Sequence, residues 1–323
     1  DLPWFGTDRT VMSATPVRWG VIGATSTVAR QAVVPALESS PGAEVAAGAS
    51  ASRGQRYQDV LDDDAVEAVY IPLPNGLHAE WTLRAAASGK HVLCEKPLAT
   101  TAAEVTTMAA ACEAAGVVLC EAYMTPYHPR SVLVDEVRRS GRLGALRFAS
   151  TRFSFVHRQP GDHRWRPEMG GGALADLGVY CLDPLLVAGG GTPRSLAAQR
   201  VDATSGVDAT FAGWLTFDEG FATSFACSFE APEHQSLELV GTEGALRVVR
   251  PFTPGPADTE VEMVTSDGSV ELLASAGGGN AYRGMVDHVS AVIRGQEALR
   301  RPPSASIAVL KVIEGLRAVA TVV

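Results

Sequence analysis

The first residues whose types suggest a chemical task are Gly20-Val21-Ile22-Gly23-Ala24-Thr25-Ser26-Thr27-Val28-Ala29, which follow a short apolar run and precede a helical pattern. Gly23 lets the chain turn tightly and Ala24 leaves the backbone uncovered. Amides at the start of the next helix supply positive field, so Gly23, Ala24, Thr25, Ser26, Thr27 and Val28 suit the pyrophosphate of a dinucleotide. The usual central glycine is absent, with Thr25 or Ser26 near its place, and an ordinary strand–helix turn would look much the same. The next strand ends in Ala49-Ser50-Ala51-Ser52-Arg53 with no acid, and Glu44 lies at its opposite end. A carboxylate there would take ribose hydroxyls, whereas Ser52 and Arg53 offer donors to a 2′-phosphate. NADP is therefore expected over NAD, a solvated loop arginine being the plain alternative.

Farther along, Arg158, Asp162, His163, Arg164, Trp165 and Arg166 form a polar, partly aromatic stretch before Gly170-Gly171-Gly172. It reads as the rim of a site gripping hydroxyls or a diphosphate, or as a solvated loop. The glycines would let the chain pass close to a ligand. His157 and His163 lack further metal-ligand partners, and no metal is expected.

The elements that must position these residues alternate. Strands at 17–23, 45–49, 66–71, 91–94 and 117–120 are largely apolar, the third ended by Pro72 and Pro74. Helical patterns at 29–39, 79–88 and 101–115 separate them, the last two stopped by Gly89 and Gly116. That is the pattern of a parallel sheet covered on both faces, with cofactor chemistry at the strands' carboxyl ends. Between Arg53 and a short helix at 57–61 there is little room for the crossover such a sheet needs, and a segment lost after Arg53 is the expectation. Beyond a helix at 130–140, strands at 145–156, 196–201, 209–217, 220–229, 236–240, 245–249, 259–264 and 270–273 form a broad, mostly antiparallel region. One of its faces is expected to meet a second subunit.

Glu95-Lys96-Pro97 directly after a strand, and Gly170 to Asp183 with Asp176 and Tyr180 at its centre, join the glycine turn in a recognisable order. Together they resemble the family of glucose-fructose oxidoreductase and inositol dehydrogenase. Members near dimeric dihydrodiol dehydrogenase, NADP-dependent xylose dehydrogenase and sugar-nucleotide 3-ketoreductases also share Pro72-Leu73-Pro74-Asn75-Gly76-Leu77-His78, and Glu121-Ala122-Tyr123-Met124 with His128. The resemblance implies an α/β chain: an N-terminal Rossmann domain (15–125), an α/β domain with a large open, mostly antiparallel sheet (126–303), and a last helix (304–323) packing back toward the first domain. It makes Lys96 the catalytic lysine, Glu95 the acid reaching the nicotinamide ribose, and Asp176 and Tyr180 the substrate-binding acid and the proton-handling residue. Pro72, Asn75 and His78 join the cofactor contacts; Tyr123, Arg164 and Trp165 join the substrate contacts.

Hydride transfer to a carbonyl leaves an alkoxide that needs a proton. Tyr180 can give it, and Lys96 nearby would lower a phenol pKa that is otherwise about 10. Asp176 and Tyr180, four apart, would share a helix face if Gly178 does not break the turn. Taken singly, Tyr180 reads equally as a core tyrosine and Lys96 as a surface lysine. The expected activity is NAD(P)-dependent interconversion of a hydroxyl and a ketone on a sugar or cyclic polyol. Reduction of a 3-keto group on a nucleotide-activated hexose is the alternative, as is a dinucleotide-binding regulatory protein without turnover.

Bulk properties narrow the classes. The 323 residues suit two domains, and a formal charge of −9 argues against nucleic acid or an anionic membrane as partner. Five cysteines (Cys94, Cys112, Cys120, Cys181, Cys227) form no CxxC pair and read as small buried hydrophobes in a reducing compartment. With no transmembrane-length run, no signal peptide in 1–15 and no long arm before Val17, a cytoplasmic homodimer or homotetramer is expected.

Overall fold

A computed structural model describes residues 15–159 and 161–323. Segment 1–14, for which the sequence suggests no role, lies outside the described residues.

The first half is a five-stranded parallel sheet of β1 (Val17–Ile22), β2 (Ala43–Ala49), β3 (Ala68–Ile71), β4 (His91–Glu95) and β5 (Leu119–Ala122), in the order β2-β1-β3-β4-β5. Strands β1, β3, β4 and β5 are largely buried because α1 (Val34–Ser39), α2 (Tyr57–Leu61), α3 (His78–Ala87) and α4 (Ala102–Ala114) cover the sheet, while edge strand β2 alternates in exposure. The chain reverses direction across the sheet after β2, so the carboxyl ends of β1 and β3 flank the switch point where such sheets bind ligands. The helix leaving the glycine turn opens as a π-helical turn, Ala29–Val33, before α1. Pro35, in the next turn, has no N–H to give back to that stretch. A capping box between Thr101 and Glu104 starts α4.

No segment is missing after Arg53. Gly54, in the left-handed region at φ 70°, donates its N–H to Ala51 O at 3.0 Å, and Gln55 N donates to Ser50 O at 3.2 Å. A single turn, Ala51–Arg53, and α2 suffice for the crossover because β2 is the edge strand and only β1 must be crossed.

After α5 (Pro129–Arg139) the second half builds a nine-stranded sheet: β6 (Leu146–Ser154), β7 (Ser195–Asp202), β8 (Asp208–Thr216), β9 (Ala222–Ser228), β10 (His234–Gly241), β11 (Gly244–Val249), β12 (Glu260–Thr265), β13 (Val270–Ala274) and β14 (Thr321–Val322). The order is β13-β12-β11-β10-β6-β9-β8-β7-β14, antiparallel except for β6 with β9 and β14 with β7. Its inner face packs on α6 (Ala173–Asp176) and α7 (Gly178–Gly189), while Phe148, Trp214 and Val249 stand exposed on the other.

Two late helices return to the first half. Helix α8 (Ala281–Ile293) packs on α1, and α9 (Pro303–Val319) packs on α4 and β5, with Glu314 Oε1 accepting from Ala102 N at 2.8 Å. Helix α9 also packs on β7 and α7 of the second half. No single helix among the described residues is long and apolar enough to cross a membrane.

Candidate active site

The site is assembled where β4 ends. Glu95, its last residue, is buried, and Tyr70 Oη donates to Glu95 Oε1 at 2.6 Å. Burial pushes this carboxyl up, against the Tyr70 bond and the Lys96 charge. Lys96 follows, with a cis peptide to Pro97. Its Nζ donates to the Asp176 backbone oxygen at 2.9 Å and to Asp176 Oδ1 at 2.5 Å, and Arg164 Nε donates to Oδ2 at 2.8 Å. Burial alone would raise the Asp176 carboxyl. The charges of Lys96 and Arg164, with the bonds they donate, instead hold it well below the ordinary carboxylate range.

Asp176 owes its place to a helix start with an unusual cap. Gly172 enters α6 at φ 110°, and a Cβ there would stand 2.4 Å from Asp208 Oδ1. Asp208, from β8, accepts the Leu174 N–H at 2.6 Å, doing from a neighbouring strand what an N-cap side chain does. The helix then breaks at Leu177, and the segment Pro167–Asp176 meets α7 at 52°. Asp176 and Tyr180 therefore do not share one helix face, contrary to the spacing argument. They come from two helices and converge on Lys96.

Lys96 Nζ lies over the Tyr180 ring, 4.9 Å from its centre, whereas Tyr180 Oη donates to Met124 Sδ at 3.7 Å. The expected lowering of the phenol is thus reversed. Burial drives the Tyr180 hydroxyl well above its ordinary value, and nearby Tyr282, Glu95 and Asp176 push the same way. The phenol is neutral at physiological pH, the form that donates a proton.

At the cofactor end, Gly23 has φ 103°, and a Cβ there would meet Leu73 Cδ2 at 3.0 Å and Pro72 O at 3.3 Å. Gly23 N and Ala24 N both donate to Ala49 O, fixing the turn against β2. Thr25, Ser26, Thr27 and Val28 then lead into the helix, whose opening amides face the switch point. Thr25 Oγ1 lies 2.6 Å from Ser50 Oγ and 3.1 Å from Ser52 Oγ, and the two serine hydroxyls are 2.8 Å apart. Exposed Arg53 stands beside this hydroxyl cluster. These features fit a dinucleotide: a glycine-only turn, uncovered helix amides and a clustered set of hydroxyl donors.

Several expected ligand contacts are structural. His78 is fully buried, its ring nitrogens set against two backbone carbonyls, Pro97 O at 2.8 Å and Leu73 O at 2.7 Å, one of which accepts its single N–H, so it braces the Glu-Lys-Pro loop. Asn75 is buried, and its Nδ2 donates to Gly170 O at 2.9 Å, tying the two halves together. Tyr123 is 1% exposed and packs on Tyr180 with ring centres 5.3 Å apart. Trp165 is half-buried on the rim, stacked on His157 and edge-on to Phe229. Of the rim arginines, Arg164 is committed to Asp176 and Asp162, Arg166 pairs with Glu168, and Arg158 is exposed.

Sequence reasoning missed Tyr70, Asp208, Tyr282 and Arg301. Tyr70 and Asp208 sit in strands whose composition marks only burial. Tyr282, raised by burial and by the Glu95 charge, begins a helix that the sequence reading passed over although Asn280 is its cap. Arg301 holds Glu121 and Asp183 at 3.0 and 2.5 Å, contacts that arise only once the chain is folded.

Two family models match, one of an oxidoreductase family with an NAD-binding Rossmann fold at residues 17–123, the other of the GFO/IDH/MocA C-terminal domain at residues 132–247. The chain is 32% identical to a D-xylose 1-dehydrogenase (NADP(+)) of Haloferax volcanii, over 92% of this chain and 95% of the relative. It is also 32% identical to a dTDP-3,4-didehydro-2,6-dideoxy-alpha-D-glucose 3-reductase of Streptomyces antibioticus, over 96% and 99%. Among solved structures, a 3-ketoreductase from Actinomadura kijaniata in complex with NADP and TDP-benzene superposes with a TM-score of 0.89 at 29% identity, covering 95% of this chain and 99% of that one.

Proposed function

Because the chain belongs to the GFO/IDH/MocA oxidoreductase family, we propose that it reduces a 3-keto group on a nucleotide-activated hexose, with NADPH as the preferred donor and NADH as the poorer one. At the level of class it is an NAD(P)-dependent oxidoreductase acting on a hydroxyl or ketone carbon of a sugar or polyol. The likeness to the 3-ketoreductase, which spans nearly the whole of both chains, is the observation that carries the narrower reading. It ranks the nucleotide-sugar substrate above the free sugar or polyol.

NADPH, when bound, would supply the hydride. The turn from Gly23 to Val28 with Pro72 would hold its pyrophosphate, and Glu95 would accept from its nicotinamide ribose. Thr25, Ser52 and Arg53 would meet its 2′-phosphate. Lys96 Nζ spends two of its three donors on Asp176 and directs the third at the substrate oxygen. Asp176, kept ionised, holds that ammonium in place and accepts from a neighbouring substrate hydroxyl. Tyr180, kept neutral, leaves its weak bond to Met124 Sδ and delivers the proton to the forming alkoxide. Trp165 offers a face to the substrate at the rim, and Arg158 is the rim arginine nearest at hand for a diphosphate.

The active unit is a homo-oligomer formed through the outer face of the nine-stranded sheet. Across its middle run Gln199, Ala212, Ala226, Arg152, Ser236 and Val249, where Ala212, Ala226 and Ser236 are small enough for a second copy to approach and Gln199 and Arg152 offer it polar partners. Light scattering should give a dimer or tetramer, and Ala226→Arg should shift it to monomer. The five buried thiols, none bridged, fit a cytoplasmic protein.

Calorimetry of the NADP-loaded protein with thymidine diphosphate, alongside NADPH oxidation with a nucleotide-linked 3-keto hexose and NADP reduction with D-xylose, tests the substrate. Diphosphate binding and turnover of the linked ketone are expected. Turnover of D-xylose without affinity for the diphosphate would return the protein to the free-sugar class.

A further inference from the structure

Behind Tyr180 lies a second charged cluster that the chemistry above does not use. Arg301, in the loop between α8 and α9, is 6% exposed, and its guanidinium serves two carboxylates from different parts of the fold. One is Glu121, at the end of β5, reached by Nε at 3.2 Å and Nη2 at 3.0 Å. The other is Asp183 on α7, reached by Nη1 at 2.5 Å. Glu121 also accepts from Leu98 N at 2.9 Å and from Ser306 Oγ at 2.7 Å. Leu98 is two residues past Lys96, and Asp183 is three residues past Tyr180, on the same helical turn. One guanidinium therefore joins the acid that anchors the lysine's loop to the acid that orients the tyrosine's helix.

The link is also made through rings. Arg301 Cζ stands 4.9 Å from the centre of Tyr123, Tyr123 stands 5.3 Å from Tyr180, and Lys96 Nζ stands 4.9 Å from Tyr180. Two tyrosines, tilted 54° to each other, thus lie between two cations, Arg301 held by Glu121 and Asp183 and Lys96 by Asp176. A buried ion cluster of this kind is poor evidence for stability, because desolvation offsets its attraction; setting the register of packed elements is its best-attested use. Cation–π contacts gain strength when desolvated, as here.

We propose that Arg301 is a positioning residue for the reaction, holding the Tyr180 ring against Lys96 through Tyr123, Asp183 and Glu121. The inference rests on Tyr180 being the proton donor. Lysine at 301 keeps a charge but lacks the planar fork that reaches both acids and the ring. Arg301→Lys is expected to lower kcat about tenfold, in line with the cost of slightly misplacing a reacting group. KM for NADPH should change less than about twofold, because the cofactor contacts lie elsewhere.

The test is a cycle of Arg301→Lys, Tyr180→Phe and the double variant, with kcat, KM and melting temperature measured for each. Once Tyr180 has lost its hydroxyl its placement no longer matters, so Arg301→Lys should leave kcat within about twofold in the Tyr180→Phe background. An equal loss of kcat in both backgrounds would overturn the proposal, as would unchanged kcat in the single variant. If Arg301→Lys does not fold, Asp183→Asn replaces it in the same cycle, since it is isosteric and leaves the Arg301–Glu121 pair in place; the same pattern is expected and the same outcomes overturn it. Near-normal kcat in Tyr180→Phe alone would reject the tyrosine as donor and this inference with it. That failure is distinct from one confined to Arg301.

Discussion

Lys96 addresses Tyr180 through the face of its ring, 4.9 Å from the centre, and not through its hydroxyl. The ammonium and the phenol are therefore not partners in a proton relay in this geometry. They are two donors held side by side, with Asp176 fixing one and the aromatic packing of Tyr123, Phe153 and Phe252 fixing the other.

Lys96→Met is expected to cut turnover by roughly 100-fold, the scale of a lost electrostatic or acid–base contribution. Dinucleotide affinity should largely survive because the glycine turn is untouched. Tyr180→Phe should cost about as much. The double variant should lose less than the product, since both groups act on one oxygen. Turnover on one substrate, after cofactor affinity is checked by fluorescence, decides it; fully multiplicative losses would mean the two act independently.

Tyr180 is driven up by burial, so the donor form persists through the alkaline range. NADPH-driven reduction is expected to hold its rate from neutrality to about pH 9, short of the free phenol value near 10. A rate profile falling steeply between about pH 7 and 8.5 would point to another donor.

Asp176 gives a stability prediction of opposite reach. A carboxyl depressed on folding adds stability that is fully present above its unfolded value, near 3.9, and is lost as pH falls through the folded value. The ion pairs to Lys96 and Arg164 should therefore hold at all pH above about 4 and fail only in stronger acid. Melting temperatures of the native protein and Asp176→Asn, compared from neutral pH downward, should draw together below that point. A constant gap would show that the carboxylate's charge does not contribute.

Arg53→Ala should weaken NADPH binding while leaving NADH nearly unchanged, because Arg53 stands exposed beside the Thr25–Ser50–Ser52 hydroxyls at the end of β2. Titration of both cofactors checks this. Equal weakening of both would make Arg53 a structural residue.

Much of this was legible in the sequence, for reasons that differ by element. The largely apolar runs of β1, β3, β4 and β5 marked the first sheet, because burial on both faces leaves little alternation to misread, and Gly23 was legible because glycine readily adopts φ 103° there. The boundary of β5 was misplaced by two residues, since Val117 and Val118 look like strand but follow a left-handed Gly116 and serve as its approach. The short crossover after Arg53 was misjudged because spacing alone does not reveal that β2 is an edge strand. Lys96, Asp176 and Tyr180 could be named from motif order. Their arrangement could not, because the break at Leu177 and the ring-face approach of Lys96 depend on packing against Asp208 and Met124, residues distant in the chain. His78 and Tyr123, named from their motifs, are both buried, a placement that motif order does not reveal.

Gly172→Ala is expected to destabilise the protein by more than about 1 kcal/mol, as the position combines a left-handed backbone with no room beside Asp208. It should also lower activity, since Asp176 is carried by the helix that Gly172 opens. Thermal melting and turnover read the two effects; a variant as stable and active as the native protein would mean α6 is seated by other contacts.

Helix α8 has a bearing on how the chain is made. Arg294, at its end, holds both Glu67 oxygens at 2.9 and 3.0 Å and the backbone oxygens of Thr15 and Pro16 at 2.9 Å, and Asp287 accepts from Ser40 Oγ at 2.5 Å. The segment leading into β1 is thus closed off by residues that follow it much later in the chain. A nascent chain displaying only the first sheet has α1 without α8 and Glu67 with Arg18 but without Arg294, however complete its strand order. Long-range closure of this kind is slow and leaves apolar surface waiting. The nucleotide-binding half is therefore completed late, although it precedes α8 in the chain, and its ability to hold a dinucleotide should arise only after residue 294 has left the ribosome.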